Sequence, residues 1–312
     1  MNSNLISEKF NKLCSKETLE FFEFISLVSD KHKIKSYLVG GAVRDILLDV
    51  PSSDFDFVVE GRAIDFVDKL LSESKDYYFA KKIEVKTVSF VKYGTLKLSF
   101  SPALPGNIEV VDFASMRSET YPQPGGTPQV EPGDLQQDLA RRDFSINAMA
   151  IEFSRNYEHV DKFSGQMDLQ NKQLRVLHPQ SFIDDPARLI RACRMIVRYG
   201  LKMEQATESL FLEAVDNKYL STLPTLRLFS EFKKVLLEDS YLQILEELEE
   251  KSLLPQILRS YTLPTSEVSI SRWEKRLYNL ISPKSERDFE NILQNFSLGR
   301  KDIIKIVKAI KE

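Results

Sequence analysis

Apolar positions recur along the 312-residue chain first in mixed rhythms and then in a steady helical one. Leu19, Phe21, Phe22, Phe24, Ile25 and Val28 follow a helical spacing and predict a helix over 17–30. From about 36 to 60 the pattern reads strand, turn, helix, strand. Tyr37-Leu38-Val39 runs into Gly40-Gly41, a helix carries Arg44 and Asp45, and Asp54-Phe55-Asp56-Phe57 follows the return turn Pro51-Ser52-Ser53. Ile64, Val67, Leu70 and Leu71 then share one face of a helix over 63–71. A β-rich block comes next, with strands expected at 83–91, at 95–100 after a Tyr93-Gly94 turn, and at 108–113.

Residues 121–133 hold four prolines and three glycines, which predicts a loop with little regular structure. Loops of that length inside a domain tend to be functional or mobile. From about 183 helical periodicity takes over, with helices expected near 185–199, 205–216, 226–238, 240–251, 267–281, 286–295 and 301–311. The expected class is α+β: a head with a small mixed sheet, followed by an all-α portion.

Composition adds only bounds. Apolar content of 42% and charged content of 29% are those of a soluble globular protein. No apolar run is long enough to span a bilayer and the N-terminus lacks a signal-peptide core, so no membrane partner and a cytoplasmic location are expected. Cys14 and Cys193 are far apart and read as reduced thiols. His32, His159 and His178 lack the spacing of a structural zinc site. The net charge of −3 does not announce a nucleic-acid binder, although local clustering of Arg and Lys decides that affinity.

Chemistry concentrates at four places. Alternate strand residues share a face, so Asp54 and Asp56 project together, about 6–7 Å apart at the backbone. Backbone N–H groups after Gly40-Gly41 suit a phosphate chain. Asp112, in the strand-like run Ile108–Phe113, offers a third carboxylate if its strand neighbours that of Asp56; Glu109 competes from the opposite face. Three carboxylates can hold two Mg²⁺ ions about 4 Å apart, one activating a hydroxyl and one on a triphosphate. In Arg141-Arg142-Asp143-Phe144-Ser145-Ile146-Asn147, an arginine can fork onto phosphate oxygens and Asn147 can bond a ribose hydroxyl.

Asp184-Asp185-Pro186-Ala187-Arg188 opens a helix, with Asp185 and Arg188 expected on one helical face. A carboxylate there accepts from the exocyclic amine of cytosine or adenine, and a guanidinium donates to the adjacent ring nitrogen. Uracil and guanine present the reverse pattern, and unpaired buried groups discriminate strongly. Arg188, Arg191, Arg194 and Arg198 form a stripe that can track phosphates. The bland alternatives are a solvated strand edge for the Asp pair and an acidic cap with an intrahelical ion pair for Asp185 and Arg188.

The order Gly-Gly-x-x-Arg-Asp, Asp-x-Asp, Arg-Arg-Asp-Phe-x-x-Asn and Asp-Asp-Pro-x-Arg-x-x-Arg resembles the class II (bacterial-type) tRNA nucleotidyltransferase and poly(A) polymerase family. Asp161–Leu169 is similar to the family's hinge motif and Leu226–Phe232 to its last neck motif, so the resemblance spans about residues 37–237. It implies a catalytic nucleotidyltransferase head over 1–158, a neck over 159–240 with a base-selecting helix, and a short helical body or tail over 241–312. Asp54, Asp56 and Asp112 would be catalytic, with Asp54 and Asp56 on the metal, Mg²⁺. Gly40, Gly41, Arg44, Asp45, Arg142, Asp143, Asn147, Asp185, Arg188, Arg191 and Arg194 would bind the nucleotide, and Arg198 the RNA. The implied reaction is attack of a tRNA 3′-hydroxyl on the α-phosphorus of CTP or ATP, releasing pyrophosphate.

Two departures stand out: Asp184-Asp185 replaces the family's usual Glu-Asp, and Ser145 replaces a frequent Thr. Four outcomes share these motifs, namely addition of CCA, of CC, of the terminal A, or of poly(A). The loop at 121–133 occupies the place of the family's flexible element, thought to help the switch from C to A, and argues against CC alone. A catalytically dead RNA-binding homologue would have no reason to retain Asp54 and Asp56 beside Arg142. An antibiotic-modifying nucleotidyltransferase would need neither Asp185 and Arg188 nor the arginine stripe.

Overall fold

A computed structural model describes residues 3–74, 84–90, 94–104, 108–153, 157–264 and 272–311. The chain forms two compact units, one of Met1–Thr120 and Gln129–Asn171, the other of Tyr121–Pro128 and Lys172–Glu312. The first unit begins with α1 (Ser3–Leu13) and α2 (Lys16–His32), then β1 (Ser36–Val39), α3 (Gly41–Leu47), β2 (Phe55–Val59) and α4 (Ala63–Glu73). It continues through β3 (Glu84–Phe90), β4 (Thr95–Leu104), β5 (Ile108–Ser115), β6 (Arg117–Thr120), β7 (Gln129–Pro132) and α5 (Leu135–Ala140). β8 (Ala150–Glu152), β9 (His159–Val160) and α6 (Gly165–Gln170) complete it.

Seven of these strands make one mixed sheet in the order β3-β4-β5-β2-β1-β8-β9. Within it β2 and β5 run parallel, while the other neighbours are antiparallel. The β2–β5 register decides two things at once. It sets Phe57 opposite Phe113 and Asp56 opposite Asp112. The two rings stack in the core with centroids 5.2 Å apart, and the alternation of strand side chains sends both carboxylates to the other face. Phe22 and Phe153 close over the same cluster, both edge-on to Phe57.

Two sequence expectations change. Helix α1 was not anticipated, because its short stripe buries little beyond Ile6 and Phe10. Residues 129–132, expected as irregular loop, form β7 and pair antiparallel with β6, leaving 121–128 as the connection. Pro132 is tolerated there because it ends a two-stranded ribbon, where a missing N–H costs little. Of the other expected elements, Ile83, Val91, Tyr93 and residues 267–271 lie outside the described residues.

The second unit contains a short parallel pair, β10 (Gln173–Leu174) and β11 (Lys202–Met203), among helices. These are α7 (Ser181–Asp184), α8 (Ala187–Tyr199), α9 (Gln205–Asp216), α10 (Thr225–Leu237) and α11 (Tyr241–Glu250). α12 (Leu254–Ile257), α13 (Trp273–Ile281), α14 (Glu286–Asn295) and α15 (Arg300–Lys311) follow. α8 packs against α10 and α11 through an apolar face that includes Leu189, Ile190 and Cys193, and stops at Gly200 in the left-handed conformation. No helix among the described residues is long and apolar enough to cross a membrane.

Candidate active site

The carboxylate cluster is a product of strand register. Asp54 immediately precedes β2, Asp56 lies within it and Asp112 faces Asp56 from β5. One carboxylate oxygen from each lies within 4.8 Å of the other two. Glu109, three residues before Asp112 and exposed, is not part of this group. Three like charges crowd a partly dehydrated space. Burial, then the charge of Asp54 and more weakly that of Asp112, lift the Asp56 carboxyl to about 6, against the pull of Arg142 and Lys97.

Asp112 Oδ2 accepts from Lys97 Nζ at 2.7 Å, whereas its buried Oδ1 has no hydrogen-bond partner among the described residues. Excess negative charge and an orphaned carboxylate oxygen are what a hard divalent cation relieves, so these residues fit one.

Beside them lies a chain of buried polar contacts. Gly40 has φ 77° and ψ −135°, a backbone state that side chains do not tolerate, and a Cβ there would stand 2.9 Å from Arg142 Nη1. Arg44 is buried midway along α3; its Nε donates to Asp45 Oδ1 at 2.9 Å and its Nη1 to Asn147 Oδ1 at 2.6 Å. Asn147 in turn donates to Asp143 Oδ1 at 3.0 Å, and that oxygen also accepts the Phe144 N–H. Arg142 Nη2 donates to Asp138 Oδ2 at 2.9 Å, while Arg141 takes Asp138 Oδ1 at 2.7 Å and Glu119 at 3.2 Å. Burial alone would raise the fully buried Asp138 carboxyl, but Arg142 and Arg141 outweigh it and hold it below its ordinary value.

The second unit carries its own cluster. Asp185 closes α7 with φ −132° and ψ 86°, and α8 begins two residues later. The expectation that Asp185 and Arg188 share one helical face is thereby corrected, because a residue before proline is driven out of the α region. They still meet. Asp185 Oδ1 accepts the Ala187 N–H at 3.2 Å, and its Oδ2 lies 3.9 Å from Arg188 Nε and 2.7 Å from Arg227 Nη2. Arg188 is 3% exposed and donates to Ser181 Oγ at 2.6 Å. Farther along α8, Arg194 and Arg198 both face Glu238, at 2.5 and 3.6 Å, and Arg191 is half-buried.

Three residues that hold these groups escaped the sequence reading. Lys97 is placed by β4–β5 pairing, which no local pattern announces. Asp138 had a signal in its i+3 and i+4 spacing to Arg141 and Arg142, a helical ion-pair geometry. Arg227, inside the motif Leu226–Phe232, is a guanidinium at the start of an apolar helix and serves a carboxylate 42 residues away.

A mixed sheet bearing a three-carboxylate cluster next to a glycine turn and buried arginines defines a nucleotidyltransferase-type head. The model of the poly(A) polymerase head domain matches residues 36–175. The A-adding tRNA nucleotidyltransferase of Aquifex aeolicus (strain VF5) is 42% identical over 232 residues, 73% of this chain and 26% of that protein. Its counterpart in Halalkalibacterium halodurans is 33% identical over 283 residues, 88% of this chain and 62% of that one. A solved tRNA nucleotidyltransferase in complex with a primer tRNA and an incoming ATP analog superposes with a TM-score of 0.72 at 32% identity, covering 92% of this chain and 82% of that one. The chain belongs to the class II tRNA nucleotidyltransferase and poly(A) polymerase family. It spans about a quarter of the first curated relative it matches and 62% of the second.

Proposed function

We propose that this protein is a tRNA nucleotidyltransferase that adds CCA, or part of it, to tRNA 3′ ends in the cytoplasm, using CTP and ATP and releasing pyrophosphate. The observation that carries the reading is the presence, in one chain of this family, of a three-carboxylate cluster with excess charge and a separate buried Asp185–Arg188 pair. Asp54, Asp56 and Asp112 hold the divalent cations, with Mg²⁺ the species that suits hard oxygen donors and triphosphates. When bound, these ions lower the pKa of the attacking hydroxyl and neutralise charge on the leaving pyrophosphate.

The protein's own side chains do the rest. Arg44 and Arg142, each pressed against a glycine of the Gly40-Gly41 turn, grip phosphate oxygens, and Asp45 keeps Arg44 in place. Asp143 and Asn147 hold the ribose. Asp185 accepts from the base's exocyclic amine and Arg188 donates to its ring nitrogen, with Arg191 and Arg194 on the nucleotide side and Arg198 on the RNA. In this map 1–158 is the catalytic head, 159–240 the neck and 241–312 a short body or tail.

A second reading, addition of the terminal A alone, is favoured by the A-adding activity named for both curated relatives. One experiment separates the outcomes. Transcripts ending at the discriminator base, after the first C and after the second C are each incubated with CTP or ATP. Addition of CTP to the first two and ATP to the third supports CCA synthesis, whereas ATP added to the third with no CTP incorporation means A addition. Incorporation of neither nucleotide into any transcript sinks the proposal.

A further inference from the structure

Strand pairing lines up Lys97, Asp112 and Asp56 as a row across three adjacent strands: Lys97 stands opposite Asp112 in the β4–β5 ladder, and Asp112 opposite Asp56 in the β5–β2 ladder. The two oxygens of Asp112 have different fates. Oδ2 is held by Lys97 Nζ at 2.7 Å, and Oδ1 is buried with no partner among the described residues. The Lys97 side chain is 43% exposed, and an ion pair so hydrated contributes little to stability. What it does at the carboxylate cluster is occupy one Asp112 oxygen and leave the other without a partner among the described residues.

Resting on the reading of that cluster as a divalent-cation site, we propose that Lys97 is a positioning residue for it, fixing Asp112 through Oδ2 so that Oδ1 is the oxygen given to the cation. A carboxylate free at both oxygens would have to be ordered when the cation arrives, and Lys97 does this in advance. Partners that hydrogen-bond metal-ligating carboxylates raise affinity in this way. The ammonium's charge acts in the opposite sense, since it repels a cation. Three carboxylates less one ammonium still leave two net negative charges for a divalent ion, and positioning by Lys97 requires the ordering effect to be the larger of the two.

The test compares Lys97→Arg, Lys97→Gln and Lys97→Met in the full chain, reading Mn²⁺ binding from the electron paramagnetic resonance signal of the free ion, with thermal melts to establish folding. Positioning predicts that Lys97→Arg stays within about threefold of the unaltered protein while Lys97→Met binds Mn²⁺ about tenfold or more weakly. Lys97→Gln, neutral like Met but still a donor to Oδ2, falls between them. Equal affinity of Met and Arg variants, or tighter binding by both neutral variants, overturns the inference. Asp54→Asn measured alongside keeps the two claims apart. If it abolishes Mn²⁺ binding while Lys97→Met leaves it unchanged, only the positioning role fails. If Asp54→Asn also leaves binding intact, the cation site is elsewhere and both claims fall.

Discussion

The two charged clusters of this molecule are built on opposite electrostatic plans. The cluster on the sheet gathers Asp54, Asp56 and Asp112 against the Lys97 ammonium and an Arg142 that is shared with Asp138, and leaves Asp112 Oδ1 orphaned. The cluster at the start of α8 is paired from within: Asp185 has Arg227, Arg188 and a backbone N–H, and Arg188 has Ser181. The first keeps an excess of negative charge. The second has a partner for each of its charged groups, and those partners fix the orientation of Asp185 and Arg188. Excess charge suits chemistry that recruits a cation, and a pre-satisfied pair suits selection, where discrimination comes from groups that cannot reorganise to accept a wrong partner.

The sharpest way to break the contrast is to remove charge from the first cluster. Asp54→Ala is expected to lower nucleotide incorporation on the order of 10³-fold or more, since the cation-dependent steps lose a ligand. Asp56→Asn should be equally inactive yet more stable than the unaltered protein in the absence of divalent ions. The sign follows from the raised carboxyl near 6: ionising Asp56 costs the folded state, and this penalty grows as pH rises from the unfolded value near 3.8 through 6. Melts at pH 7.5 should show a gain of about 1–3 kcal/mol that fades toward pH 4. A loss of stability on Asp56→Asn would mean that the carboxylates are already balanced by the protein.

The second cluster should respond in selectivity rather than rate. Arg188→Ala is expected to raise UTP and GTP incorporation relative to CTP and ATP by about 10²-fold, measured by single-nucleotide competition. If selection stays intact, base choice is not made at this pair. Arg227→Met removes only the guanidinium that braces Asp185 Oδ2, so a smaller relaxation, about tenfold, is expected in the same competition. An Arg227→Met enzyme as permissive as Arg188→Ala would place the selecting role on the brace itself.

What the sequence disclosed differs between the two clusters for a physical reason. Asp54, Asp56, Gly40 and Arg44 were legible because period-2 alternation and a glycine turn are local signals, each written within about ten residues. Asp112 was legible only as a candidate, with Glu109 as rival, until the β2–β5 register set it opposite Asp56. Lys97 and Arg227 were illegible as partners, since their contacts are fixed by strand pairing and by helix packing over long separations. The helical face assigned to Asp185 failed because Pro186 displaces the residue before it from the helix. The segment 129–132 failed because proline and glycine content concealed a two-stranded pairing.

Asp138 tests whether the first cluster's surroundings follow the second cluster's plan, for it is fully buried yet doubly paired, to Arg141 and Arg142. Replacing it with Asn takes the counter-charge from Arg142 and leaves Arg141 with Glu119 alone, and removing one partner of a buried ion pair costs about 3–5 kcal/mol. Because its carboxyl lies below the ordinary value in the fold, its stabilisation is fully present above the unfolded pKa and is lost as pH falls through the lower folded one. The difference in stability between the unaltered protein and Asp138→Asn should therefore be largest near neutrality and narrow as pH drops below about 4. Urea titrations at pH 7 and at the lowest pH where both remain folded measure it. A difference that does not change with pH would show that Asp138 acts by shape and hydrogen bonding alone, and the arginines around it are then held by something other than its charge.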